Sequence, residues 1–206
     1  MRVELPLILD EVRGVRLGET FLGVRDGGAS EKPRFPRHRK AGARRLTQIY
    51  DALSDCRASL SEKVRWRIAK AIEEQSRRHG YDPLFVQALV EVESTCSPTA
   101  RSRRGAVGLV QLQPATARAV ARAAGIAYEG LPTLLDPVRN VELGLLYLRQ
   151  LEEQLGDPHL AIAAYNLGPG RVARMSKGFA RSARYVRKIL ARYEHLLAET
   201  FSPTSA

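Results

Sequence analysis

Apolar residues recur at helical spacing from about Ser59 onward. They stand three and four positions apart, and short stretches with Gly or Pro separate the runs, which predicts a series of helices joined by turns. The first helix is expected to begin after a capping Ser61 and to end at His79-Gly80. Its inward face comprises Val64, Ile68, Ala71 and Ile72. Because no later segment alternates with the two-residue period of a strand, the main domain is predicted to be all-helical.

An Asp-Pro pair precedes three further apolar runs, at Asp82-Pro83, Asp136-Pro137 and Asp157-Pro158. The aspartate offers an oxygen that can cap first-turn N–H groups, and proline is tolerated in the first helical turn. Each pair therefore predicts a helix start. A last helix is predicted from about Ala180 to Ala198, with Tyr185, Ile189 and Tyr193 facing inward.

The N-terminal part of the chain has a different texture. Residues 1–30 alternate apolar positions with frequent glycines, which predicts a small hairpin or an irregular strand pair. Residues 32–45 hold seven Lys or Arg residues and no acidic ones, which favours a solvated linker; the alternative is an arm that grips a polyanion. We therefore divide the chain into an extension at 1–58, a helical domain at 59–200 and a tail at 201–206.

The chain is strongly basic, with a net charge of +11 from 33 Lys and Arg against 22 Asp and Glu. This excess favours an anionic partner, whether nucleic acid, membrane headgroups or an acidic polysaccharide. No helix-turn-helix, RRM, KH or finger signature is present, so a nucleic-acid partner is not expected. No stretch is apolar enough to cross a membrane. The first residues also lack the basic region and long apolar core of a secretory signal.

The two cysteines, Cys56 and Cys96, show neither CxxC nor Cys/His ligand spacing, so no zinc site or other metal site is expected. We place Cys56 at the start of one helix and Cys96 just past the end of the next. A helical rise of about 1.5 Å per residue then offsets them by roughly 10 Å, beyond the reach of a disulfide. The prediction is two free thiols.

Glu93 stands out because a dense apolar helix delivers its carboxylate to the edge of a core, just before a turn and a segment that contains Gly105 and Gly108. Burial disfavours the charged form of a carboxylate and raises its pKa toward that of a general acid. Glu91 lies about 200° away around the helix, so the two cannot share a site, and Glu91 is expected on the solvated face. Taken alone, Glu93 is better interpreted as a surface glutamate at a helix end.

Four motifs around and after Glu93 change that interpretation. They are Glu93-Ser94; Ser102-x-x-Gly105-Ala106-x-Gly108-Leu109-Val110-Gln111 with Pro114-x-Thr116-Ala117; Leu135-Asp136-Pro137-x-x-Asn140 with Gly144 and Tyr147-Leu148; and Ala164-Tyr165-Asn166-x-Gly168-Pro169-Gly170. In this order and spacing, over roughly residues 80–190, they resemble the soluble lytic transglycosylase family. The resemblance implies a mainly α, lysozyme-like fold.

The resemblance also implies roles. Glu93 matches the single catalytic acid/base, Tyr165 a tyrosine whose hydroxyl lies beside that carboxylate and orients it, and Gln111 a cleft residue that orients the acetamido group. The other expected substrate-binding positions are Ser102, Gln113, Asn166 and Tyr185. Structural alternatives are a turn cap for Ser102, a helix terminator for Asn166 and a core aromatic for Tyr165. Tyr147 is assigned to the core.

Some positions depart from the family pattern. Val110 and Gln113 replace two methionines, Cys96 replaces a frequent aromatic residue, and the segment Arg181-Ser182-Ala183-Arg184-Tyr185 keeps the family tyrosine but lacks its glutamate.

The implied reaction cleaves the β-1,4 bond between N-acetylmuramic acid and N-acetylglucosamine in peptidoglycan and forms a 1,6-anhydro sugar, with no cofactor. Peptidoglycan strands are the expected partner, and their carboxylates suit the basic charge. A periplasmic or cell-envelope location and a monomer are expected. The alternatives are a lysozyme-type hydrolase and a non-catalytic peptidoglycan-binding or envelope assembly protein.

Overall fold

The computed structural model describes residues 42–174 and 179–201. Its helices are α1 (Gly42–Cys56), α2 (Glu62–His79), α3 (Pro83–Ser94), α4 (Pro114–Ala124), α5 (Leu131–Leu135), α6 (Pro137–Leu155), α7 (Pro158–Leu167), α8 (Pro169–Val172) and α9 (Phe179–Phe201). The β-structure of the described residues is limited to two isolated bridges, Arg101 with Val107 and Val107 with Leu112. The all-helical prediction is confirmed. The predicted N-terminal hairpin and the segment 32–41 lie outside the described residues.

The predicted helix starts are confirmed by their hydrogen bonds. The carboxylates of Asp82, Asp136 and Asp157 accept from the backbone N–H groups of Leu84, Arg139 and Leu160 at 2.8, 2.9 and 2.9 Å. At the end of α2, Gly80 adopts a left-handed conformation with φ 79°, which a residue with a Cβ resists. These local signals set where α2 ends and where α3, α6 and α7 begin.

The central helix is α3, which is buried on almost every side. Its fully or nearly fully buried residues are Leu84, Phe85, Val86, Ala88, Leu89 and Val90. Helices α1, α2 and α9 pack against it, and buried residues of α6 and α7 complete the main core. A second, smaller core forms between α4, α5, α6 and the preceding loop. Tyr147 and Tyr165 pack against both cores, so Tyr147 is partly buried at their junction.

Helix α1 belongs to the main core, although its residues fall within the predicted extension. Ile49 and Leu53 are completely buried there, and Arg45 donates to the Asp82 carboxylate at 3.2 Å. The predicted solvated linker is therefore wrong for residues 42–45, which form the first turn of a packed helix.

The prediction of two free thiols is also wrong. Cys56 and Cys96 form a disulfide, with their Cα atoms 6.2 Å apart. The prediction placed Cys56 at the beginning of a helix, whereas it is the last residue of α1, which packs beside the end of α3. The bridge therefore joins α1 to the chain just after Glu93.

Within the described ranges, no helix is long and apolar enough to span a membrane.

Candidate active site

Glu93 lies in the last turn of α3, partly buried. Thr95 ends the helix in a left-handed conformation with φ 50°, and Cys96 follows with φ 59°. These two residues turn the chain sharply, and the disulfide at Cys96 ties that turn to α1. The turn holds the Glu93 carboxylate at the rim of the main core.

Two residues of α9 act on this carboxylate. The Tyr185 hydroxyl donates a hydrogen bond to Glu93 Oε1, and Lys188 supplies a positive charge nearby. Burial raises the pKa of Glu93 from 4.5 to about 7, against these two interactions, which both favour the ionised form. The carboxyl is therefore balanced between its acid and base forms close to neutral pH, as a group that both gives and takes a proton requires.

The loop at residues 101–113 holds three predicted substrate-binding residues, and each makes a bond within the loop. The Ser102 hydroxyl accepts from the Ala106 N–H at 3.0 Å, so it does cap a turn. The Gln111 amide donates to the carbonyls of Ala100 at 3.2 Å and Gly108 at 2.9 Å. The Gln113 amide donates to the Arg104 carbonyl at 3.1 Å. Ser102 and Gln113 are exposed, whereas Gln111 is partly buried.

Asn140 on α6 anchors this loop, a role that the motif alone did not predict. Its side chain is completely buried, accepts from the Val110 N–H at 3.0 Å and donates to the Val107 carbonyl at 3.1 Å. Gly108 makes room for it: a Cβ there would stand 2.4 Å from the Asn140 amide nitrogen and 2.5 Å from the Leu134 carbonyl oxygen. The useful sequence signal was an amide on the apolar face of α6, since a buried amide must find partners.

Tyr165 lies near Glu93, but its hydrogen bond goes elsewhere. Its hydroxyl donates to the Val110 carbonyl at 2.9 Å. Burial chiefly, and the charge of Glu93 next, raise the pKa of Tyr165 well above its ordinary value. Tyr165 was expected to orient Glu93, whereas in the structure its hydroxyl donates to Val110 and the hydrogen bond to Glu93 comes from Tyr185. Gly144 leaves room for the hydrogen bond between Tyr165 and Val110, because a Cβ there would stand 2.5 Å from Val110 Cγ2 and 3.0 Å from the Tyr165 hydroxyl.

Glu91 is not on the solvated face, which corrects a second expectation. Both of its oxygens accept from the Arg192 guanidinium on α9, the Nη2 contact being 3.2 Å, and its side chain is 11% exposed. The Gln87 amide also donates to Glu91 at 2.9 Å. The ion pair with Arg192 agrees with the expectation that Glu91 and Glu93 point to different sides of the helix and do not share a site.

The last predicted substrate-binding residue, Asn166, is exposed near the end of α7. Gly168 follows with φ 85° and turns the chain into α8. The structure therefore brings Glu93, Tyr185 and Tyr165 together, with the loop attached to Tyr165 through Val110. In residues 42–174 and 179–201, no cluster of three or more His, Cys, Asp or Glu residues could hold a metal ion.

The helical fold agrees with the lysozyme-like class that the motifs indicated, and solved structures share it. The 70 kDa soluble lytic transglycosylase from Escherichia coli superposes with a TM-score of 0.60 at 23% identity, over 78% of this chain and 31% of that one. The lytic transglycosylase Slt from Pseudomonas aeruginosa gives a TM-score of 0.58 at 23% identity, over 81% and 36%.

Residues 70–187 match the transglycosylase SLT domain family, and the chain belongs to that family. A curated relative, the soluble lytic murein transglycosylase of Salmonella typhimurium, is 39% identical over 90 residues, which are 43% of this chain. The match spans only 14% of that relative's length.

Proposed function

We propose that this chain is a lytic transglycosylase that cleaves the β-1,4 bond between N-acetylmuramic acid and N-acetylglucosamine in peptidoglycan. The observation that carries the proposal is Glu93, a carboxyl with a pKa raised by burial to about 7 and held by the Tyr185 hydroxyl. Family membership supports it, as do relatives named soluble lytic murein transglycosylase. The Pseudomonas structure was solved as an inactive variant with glutamine in place of one glutamate.

In the first step, protonated Glu93 gives its proton to the glycosidic oxygen as the bond from that oxygen to C1 breaks. The positive charge that develops on the sugar is stabilised by its own acetamido group or by nearby dipoles. Most glycosidases place a second carboxylate on the opposite side of the sugar. Glu91, the nearest carboxylate in sequence, is bound to Arg192 and cannot serve.

In the second step, ionised Glu93 takes the proton of the C6 hydroxyl as that oxygen bonds to C1. The product is a 1,6-anhydro sugar, Glu93 is again protonated, and no water is consumed. One residue can perform both steps because its pKa lies close to neutral pH. The reaction needs no cofactor.

The remaining site residues divide between shaping the cleft and contacting the glycan. The side chains of Gln111 and Tyr165 donate hydrogen bonds to backbone carbonyls in or next to the loop, so we assign them the role of holding its conformation. This assignment replaces an acetamido-orienting role for Gln111. The exposed side chains of Ser102, Gln113 and Asn166 are available to contact glycan.

The charge around the site suits an acidic polymer. Arg101, Arg103 and Arg104 are exposed on the loop, and Arg184, Arg187 and Lys188 are exposed on α9. Stem-peptide and lactyl carboxylates of peptidoglycan would be concentrated by such a rim.

We place the protein in the cell envelope. The Cys56–Cys96 disulfide supports this location, because disulfides persist in oxidising compartments and are rare in the cytosol.

Digestion of purified sacculi followed by mass spectrometry tests the proposal. Wild-type protein is expected to release 1,6-anhydro muropeptides, and Glu93→Gln is expected to release none. Products that end in reducing muramic acid would instead support the lysozyme-type hydrolase. Binding to sacculi without products from either protein would support the non-catalytic alternative.

A further inference from the structure

Helices α3 and α9 run antiparallel and meet at three successive places. The rings of Phe85 and Tyr193 pack edge to face with centroids 6.0 Å apart. Closer to the site, Glu91 pairs with Arg192, and at the site itself Glu93 accepts from Tyr185. Along both helices these contacts are ordered from the core toward the cleft.

The two polar contacts reach different sides of α3. Tyr185 and Arg192 are seven residues apart, about two turns, and so lie on nearly the same side of α9. Glu91 and Glu93 are about 200° apart around α3. The apolar face of α9, with Val186, Ile189 and Leu190 buried in the main core, already packs this helix against its neighbours. The polar contacts on two sides of α3 add to this packing and further restrict the rotation of α9 and its position along α3.

The ion pair is built to hold this geometry. The guanidinium meets both Glu91 oxygens, and the Glu91 and Arg192 side chains are only 11% and 26% exposed. Gln87, which is completely buried, donates a further hydrogen bond to Glu91. Paired hydrogen bonds to a charged group are stronger and more directional than neutral ones, and partial burial reduces screening by water.

We propose that Glu91 and Arg192 are positioning residues, whose ion pair sets α9 against α3 so that the Tyr185 hydroxyl meets Glu93. Neither touches the reacting atoms. The consequence for catalysis rests on the proposed function, whereas the consequence for Glu93 itself does not. Among the described residues, the titratable and charged groups that face Glu93 are Tyr185 and Lys188 from α9 and Tyr165 from α7.

The variant Glu91→Gln separates positioning from direct electrostatics by the sign of its effect. Removing a negative charge and leaving Arg192 unpaired favours the ionised form of Glu93, so charge alone lowers the pKa of Glu93. Loss of the Tyr185 hydrogen bond removes support for the ionised form and raises that pKa. An upward shift is therefore the signature of positioning.

The experiment is a carbon-13 NMR titration of the Glu93 carboxyl, in wild type, Glu91→Gln, Tyr185→Phe and the double variant. We expect both single variants to titrate at higher pH than wild type and the double variant to shift no further than Tyr185→Phe. A downward or absent shift in Glu91→Gln, or additive shifts in the double variant, would overturn the proposal. Since no substrate is present, the result stands whether or not the protein cleaves peptidoglycan.

The matched control is Glu153→Gln, which breaks the exposed ion pair with Arg149 on α6. Its Glu93 titration is expected to match wild type. Should Glu91→Gln fail to fold, Arg192→Lys keeps the charge but loses the two-pronged contact. An upward shift is expected there too, and a wild-type titration would contradict the proposal. On glycan, Glu91→Gln is expected to lower kcat about tenfold with little change in KM, because a misplaced catalytic group slows the chemical step without weakening binding.

Discussion

The hydroxyl of Tyr185 donates a hydrogen bond to Glu93 Oε1, joining two residues that are 92 positions apart in the chain. The contact connects the last long helix with the end of the central one. It also limits how far burial raises the pKa of Glu93, because the hydrogen bond favours the ionised carboxylate while burial favours the protonated form. The acid/base character of Glu93 is thus the balance of two opposed effects supplied by different helices.

Tyr185→Phe is expected to raise the pKa of Glu93 by about one unit or more, since a hydrogen bond to a charged group contributes roughly 1.5–3 kcal/mol. The alkaline limb of the kcat/KM profile, which reports loss of the protonated acid, should move to higher pH by the same amount. Activity near pH 7 should fall about tenfold or more, because the carboxyl is no longer held for proton transfer. A pH-rate profile that coincides with wild type would contradict this role.

Glu93→Gln is expected to make the protein more stable at alkaline pH. Because the folded state raises the pKa of Glu93 from 4.5 to about 7, protonated Glu93 favours folding, and this stability is full below pH 4.5 and is lost as pH rises through 7. Glutamine stays neutral and avoids the loss. Urea unfolding should therefore show similar stabilities near pH 4 and an advantage for Glu93→Gln of up to about 3 kcal/mol near pH 8. An advantage that does not change with pH would show that Glu93 titrates normally.

Reduction of the Cys56–Cys96 disulfide is expected to lower the free energy of unfolding by about 4 kcal/mol, the loop-closure value for a separation of 40 residues. Urea unfolding with and without a thiol reductant measures it. Cys56→Ser serves as the control, because its stability should match the reduced wild type and should not respond to the reductant. Equal stability of oxidised and reduced wild type would contradict the prediction.

Gly108→Ala is expected to cost about 3 kcal/mol of stability, because its Cβ would collide with the Asn140 amide and the Leu134 carbonyl. The matched control is Gly125→Ala. Gly125 also has a positive φ, of 66°, but has nothing within 4 Å of the added Cβ, so the left-handed conformation alone should cost about 1 kcal/mol. Thermal unfolding distinguishes the two, and equal losses would mean that the contact with Asn140 does not restrict the loop.

The sequence correctly predicted features that depend only on neighbouring residues. Asp82, Asp136 and Asp157 each cap the helix that their Asp-Pro pair predicts, since a cap needs only neighbouring residues. Helix α1 was overlooked because its basic start resembles a linker. The spacing of Leu46, Ile49 and Leu53 was the signal that could have revealed it, and with it the disulfide.

Contacts between distant helices were not predictable in the same way. Helical phase separates Glu91 from Glu93, but it does not reveal which neighbouring helix each residue meets. The hydrogen bond from Tyr185 to Glu93 and the ion pair from Arg192 to Glu91 both depend on how α9 packs on α3. The motifs predicted that Tyr185 and Tyr165 belong to the same site, whereas only tertiary packing determines which of the two donates to Glu93.

The central claim is that Glu93 cleaves the glycan without water, and digestion in water enriched in oxygen-18 tests it most directly. If the C6 hydroxyl attacks C1, the released muropeptides carry the 1,6-anhydro sugar and no oxygen-18 above background. A single oxygen-18 atom at the reducing end of each new muramic acid would show that water attacks instead, and would contradict the account.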